Sequence, residues 1–161
     1  MLCISAPRTA ICGISPLFAA VREVWPGTNV QRCTFHVADQ VKRCTTLKPK
    51  LEVGVELLGI ANSLKDAGFA TVWLLEYSAW CTKWATFLKE FTVKDGRRVY
   101  THERLREARR ILNKLVKDGT LFTFVEMQQE YGGEWSSTNN AVESVNARLQ
   151  DVFRHHRGLF A

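Results

Sequence analysis

The chain has 161 residues, 46% of them apolar and 24% charged, and a net charge of +6. That balance fits a globular domain, excludes a disordered polyelectrolyte, and leaves little room for a second domain. No apolar run approaches the roughly twenty residues of a membrane span, and no basic region followed by an apolar core opens the chain, so neither a membrane partner nor a secretory leader is expected.

Residues 1–14 show no clear period and contain no acid. Ser15-Pro16 reads as a cap with proline in the first turn, and Leu17, Ala20, Val21 and Val24 recur at helical spacing, so a short helix is expected over 16–25. Pro26-Gly27 breaks it. Val30 to Phe35 has weak strand character, and a helix from His36 to about Thr45 follows. Leu51, Val55, Leu58 and Ala61 form a helical stripe over 50–64. Val72, Leu75, Tyr77, Trp80, Trp84, Phe87 and Leu88 do the same over 70–90. Asp95-Gly96 marks a turn, and a helix from Thr101 to about Lys117 stops at Asp118-Gly119. Residues 120–127 read as a short strand or extended loop, Gly132-Gly133 as a loop, and 140–156 as a last helix. This order is mostly α, with too little sheet for an independent α/β domain; it reads as an α/β remnant with a helical insertion.

Five cysteines (Cys3, Cys12, Cys33, Cys44, Cys81) are odd in number and irregular in spacing, which predicts free thiols in a reducing cytoplasm. Charge is uneven. Residues 31–50 carry five bases against one acid, and residues 91–118 carry nine against four. Two basic blocks on a mildly acidic background point either to a polyanion partner or to solvated helix faces. The phosphate-contact candidates are Arg97, Arg98, Arg104, Arg106, Arg109, Arg110, Lys114 and Lys117, joined by Arg148, Arg154 and Arg157 near the C-terminus. Trp73, Trp80 and Trp84 have helix-compatible spacing and are expected in the core, whereas Trp135, in a Gly-rich loop, is a candidate for base contact or for packing.

Two further segments carry chemistry. Asn140 as N-cap puts Glu143 at the third helical position, which is the arrangement of a capping box. It is also a carboxylate near a helix start, where it can help hold a divalent cation. Cys33-Thr34-Phe35-His36 offers two zinc ligands where a structural site needs four; a buried thiol and a hydrogen-bonding histidine are the plainer reading. His155-His156 offers further ligands without a geometry. No Gly-rich phosphate loop and no Gly-x-Ser-x-Gly elbow is present.

Val24-Trp25-Pro26-Gly27-Thr28-Asn29-Val30-Gln31-Arg32-Cys33-Thr34-Phe35-His36, with Ser137-Thr138-Asn139-Asn140-Ala141-Val142-Glu143-Ser144 far downstream, resembles the mutator-type insertion-sequence transposases of bacteria. The resemblance runs from about residue 16 to the C-terminus. It implies the C-terminal half of a ribonuclease-H-like domain that carries an Asp, Asp, Glu triad, with a helical insertion before the Glu. Glu143 then matches the catalytic, metal-holding Glu. Cys33, His36, Asn139 and Asn140 match the supporting motifs. Residues 15–45 and 119–161 would be the partial catalytic core, 46–118 the insertion, and 1–14 a degenerate or frame-shifted start. Intact relatives use Mg²⁺ or Mn²⁺ and act on DNA at insertion-sequence ends, with other transposase subunits as partners.

The chain departs from that pattern where the second Asp is expected, since positions 11–13 are Ile11, Cys12 and Gly13. The first Asp would lie before Met1. Two-metal phosphoryl transfer needs several carboxylates around its cations, so no tightly bound cation and no DNA cutting or joining is expected of this chain alone. The alternatives are a non-catalytic DNA-binding or regulatory module acting on a full-length transposase, and a helical scaffold or metal-binding domain unrelated to transposition.

Overall fold

The computed structural model describes residues 9–12, 15–64 and 70–155. It opens with a parallel β-α-β unit: β1 (Thr9–Cys12), α1 (Ser15–Val24) and β2 (Asn29–Arg32). The strands pair in register from Thr9 opposite Asn29 to Cys12 opposite Arg32. A crossover helix is the ordinary way to join parallel neighbours. The first strand was not expected; four residues inside an aperiodic stretch leave no readable alternation. Val21, Val30, Ala10 and Trp25 form a small separate cluster beneath the unit.

From β2 the chain turns at Cys33 into α2 (Thr34–Thr45), then α3 (Glu52–Ser63) and α4 (Ala70–Lys83). A short 3₁₀ turn over Phe87–Lys89 leads to a hairpin of β3 (Phe91–Lys94) and β4 (Arg97–Tyr100), followed by α5 (Glu103–Lys117), α6 (Thr123–Tyr131) and α7 (Asn140–His155). Seven helices against two small sheets among the described residues agree with the mostly α expectation.

The core of the molecule lies between α2 and α6. Val37 and Val41 of α2 meet Val53, Leu57 and Ala61 of α3, Trp73, Tyr77 and Trp80 of α4, and Leu105, Ala108, Leu112 and Leu115 of α5. The three α4 aromatics stack in series, with ring centroids 5.2 Å and 6.1 Å apart. Their polar atoms are satisfied: Trp73 Nε1 donates to Ile60 O (2.8 Å), Trp80 Nε1 to Val53 O (3.0 Å), and the Tyr77 hydroxyl to Asn113 Oδ1 (2.8 Å). Burial pushes the Tyr77 hydroxyl far above its usual range, so it stays a donor.

Three expectations are corrected, and one turn is sharpened. The buried face of α3 is Val53, Gly54, Leu57 and Ala61, while Leu51 and Val55 are exposed. Val72 and Leu75 on α4 also face outward, because the bulkier aromatic row takes the buried side. Asp95 and Gly96 both have positive φ (51° and 72°), so the expected turn is the tight two-residue turn of a β-hairpin. Finally, residues 123–131 are helical, not extended. Gly119, at φ 64°, ends α5, and Thr123 opens α6 with its hydroxyl donating to Val30 O (3.0 Å).

Buried Gln31 fixes α6 to β2: its Nε2 donates to Leu121 O (2.8 Å), and its Oε1 accepts from Phe124 N (3.1 Å). α2 shares one core with α3, α4 and α5. Among the described residues no helix is long and apolar enough to cross a membrane.

Candidate nucleic-acid interface

The Cys33–His36 turn and the Glu143 helix come together. Thr34 N donates to Ser137 O (3.0 Å), and the Thr34 hydroxyl lies 3.3 Å from the same oxygen and 3.2 Å from Ser137 Oγ. Thr34 is fully buried, so these bonds satisfy a hydroxyl and an amide that have no access to water. The clamp sets the 137–139 segment against the start of α2. Two residues beyond Thr34, His36 Nε2 stands 3.5 Å from Glu143 Oε1.

The capping box is not formed. α7 starts at Asn140, and Asn139 O accepts the Glu143 amide (3.0 Å), so Asn139 occupies the cap position and Glu143 the fourth helical one. The Glu143 carboxylate reaches across to α2 instead of folding back. His36 Nδ1 and Asn139 Oδ1 are buried atoms without a hydrogen-bond partner. The corner thus keeps unsatisfied capacity beside an accessible carboxylate, whose side chain is 46% exposed.

Cys33 is fully buried with a free thiol, and its carbonyl accepts the Val37 amide (3.1 Å). Among the described residues no three His, Cys, Asp or Glu side chains gather in the manner of a metal site. Asp39, one turn beyond His36, is held by Arg43, whose Nε and Nη2 reach Oδ2 at 3.0 Å and 2.7 Å. His155 Nδ1 lies 2.8 Å from Asp151 O on its own helix, while His156 and Arg157 lie outside the described residues.

The basic candidates divide into tied and free. Arg104 donates through Nη2 to Arg43 O and so joins α5 to α2. Arg106 donates to Leu88 O (2.8 Å) and lies 3.4 Å from the Tyr100 ring centroid. Arg110 grips Glu107 at 2.9 Å and 2.7 Å, which holds the Glu107 carboxyl below its usual range and raises the guanidinium. Arg109 has a buried Nε without a partner. Lys114, Lys117, Arg97, Arg148 and Arg154 form no ion pair among the described residues, and all five are exposed. Arg98 lies over the Phe91 ring at 4.3 Å. The hairpin thus projects Lys94, Arg97 and Arg98 on an exposed two-stranded ribbon. A β-ribbon of this kind fits a DNA major groove. Trp135 turns back on its own loop, donating to Gly132 O (2.9 Å).

Sequence reasoning did not foresee the Thr34–Ser137 clamp, the Gln31 staple or the burial of Arg32. A glutamine and an arginine inside a short strand were the available signal. Comparison with protein-family models, curated proteins and solved structures returns no match.

Proposed function

We propose that the chain is the C-terminal part of a mutator-type insertion-sequence transposase, a ribonuclease-H-like remnant that holds DNA but does not cut or join it alone. The observation that carries this reading is the meeting of the Cys33–His36 turn with Glu143 at 3.5 Å, across about a hundred intervening residues. These are the two segments on which the resemblance rests. The parallel β1–α1–β2 order leading into α2 also fits half of such a domain.

Chemistry follows from what surrounds Glu143. Its neighbour is a histidine, Asp39 is engaged by Arg43, and the end of β1 reads Ile11-Cys12. A single carboxylate does not hold two cations against a phosphate. In an intact relative Mg²⁺ or Mn²⁺ would supply that chemistry. Here Glu143 is left as a metal-ligand candidate, and the exposed Arg97, Lys114, Lys117, Arg148 and Arg154 serve as phosphate contacts.

A second reading, a non-catalytic module acting on a full-length transposase, draws on α7. Val142, Val145, Leu149, Val152 and Phe153 all lie exposed along it, a stripe suited to assembly with another subunit.

Titration of a fluorescent duplex at several salt concentrations tests the proposal. Binding should weaken steeply as salt rises, and combined Arg97→Gln, Lys114→Gln and Lys117→Gln should flatten the logarithmic salt slope by roughly two to three. Absence of binding at low salt, or a slope unchanged by the triple substitution, would overturn it.

A further inference from the structure

We propose that the cleft between the end of β2 and the last turn of α5 is a phosphate-binding site built on Arg32, Lys114 and Thr120. Arg32 and Thr120 carry it independently of the transposase reading, while Lys114 is shared with the proposed DNA contacts on α5. The cleft has a volume of about 250 Å³. Arg32 closes one side, Lys114 and Asp118 come from α5 and its cap, Gln40 from α2, and Thr120 from the connection to α6.

Arg32 is the anomaly that calls for a ligand. Its residue is 8% exposed, no carboxylate lies within ion-pair reach among the described residues, and its Nε is buried without a partner. A guanidinium so enclosed is normally matched by a counter-charge. Thr120, 3% exposed, carries a second buried atom without a partner, Oγ1. Their backbones are locked together, with Arg32 N donating to Thr120 O at 2.7 Å. Folding therefore holds an unpaired guanidinium and an unpaired hydroxyl on the same cleft, and the Lys114 ammonium shares it.

The donor set selects the ligand. Residues bearing a guanidinium fork, an ammonium and a hydroxyl line the one cleft, a donor set that suits the several oxygens of a phosphate better than the two of a carboxylate. The cleft is larger than one phosphate, and Ile111 and Leu115 give it an apolar wall for the substituent of a phosphoester. Asp118 lines the same cleft and opposes an anion, so it lowers the affinity without cancelling the two cations. Asp118→Asn should tighten phosphate binding about twofold or more.

The test uses the full chain with inorganic phosphate, compared with chloride at matched ionic strength. At tenfold above its dissociation constant phosphate should raise the melting midpoint by about 3–6 °C, and the phosphate ³¹P resonance should broaden. Lys114→Ala and Arg32→Gln should remove both effects, whereas Lys48→Ala, at an exposed position outside the cleft, should keep them. Lys114 is exposed, so its variant remains informative even if Arg32→Gln fails to fold. An equal rise in every variant would be the general stabilisation by phosphate salts and would overturn the site. An equal rise with acetate would overturn the assignment to phosphate. With binding shown, displacement by a short DNA duplex assigns the phosphate to a nucleic-acid strand. Displacement by adenosine monophosphate alone assigns it to a small phosphoester, and displacement by neither to inorganic phosphate.

Discussion

The α2–α6 core and the α7 corner are held in opposite ways. In the core, apolar side chains from five helices are buried together, and every tryptophan and tyrosine polar atom of the α4 row has a partner. α7 buries none of its residues, and the segment before it is held to the start of α2 by hydrogen bonds between Thr34 and Ser137. Stability therefore resides in the helical core, while Glu143 sits on a helix that buries none of its residues. Such regions open most easily and most readily accept a ligand.

The sharpest way to break this contrast is a pair of truncations. Leu112→Ala, at a fully buried position, should cost about 2–5 kcal/mol of unfolding free energy, while Leu149→Ala on α7 should stay within about 0.5 kcal/mol. Urea titration checks both, and comparable losses would show that α7 is packed after all. Next in size, Gln31→Ala removes both side-chain bonds between β2 and α6, leaving Leu121 O and Phe124 N short of partners; about 1–3 kcal/mol should be lost, with faster hydrogen exchange at the Phe124 amide. Thr34→Val should cost about 0.5–1.5 kcal/mol and expose the 132–139 loop to proteolysis, leaving the α2–α6 core protected.

The smallest effect is electrostatic. Lys83 donates to Glu56 (2.5 Å) and Trp84 to the same carboxylate (2.7 Å), which holds the Glu56 carboxyl below its ordinary 4.5. Its contribution is present above that value and is lost as pH falls through the lower folded one. The hydrogen bonds to Glu56 and Glu52 raise Lys83 above 10.5, so its share is present below that value and fades as pH rises through the higher folded one. Glu56→Gln should lower the melting midpoint at pH 7 by roughly a degree or two, with the difference vanishing in acid once the pH lies below the lowered folded value. A difference that persists in acid would trace the loss to packing against Trp84.

Much of this was legible in the residues. Helices with local start and stop signals, such as proline in the first turn of α1 and Gly119 just beyond α5, were readable because those signals are local. The pairing of the Cys33–His36 turn with the Glu143 segment was suggested by resemblance, since no local pattern links residues so far apart. The strands were hard to read because each is four residues long, and α6 because Thr120 to Val125 is rich in β-formers. Tertiary bonds from Gln31 and the Thr123 hydroxyl hold that segment against β2, and neither is visible in periodicity. The tied state of Arg104, Arg106 and Arg110 was equally hidden, since a row of bases looks the same whether its partners are carbonyls, carboxylates or DNA.

The most direct test of the proposed function, in which Glu143 is a metal-ligand candidate on the same helix as the phosphate contacts Arg148 and Arg154, is the duplex affinity of Glu143→Gln against wild type at low salt without divalent ions. Removing a carboxylate that faces phosphates should tighten binding several-fold, and adding Mg²⁺ should narrow the gap by helping only the wild type. Equal affinities with and without Mg²⁺ would contradict the account and leave Glu143 as no more than a surface contact of His36.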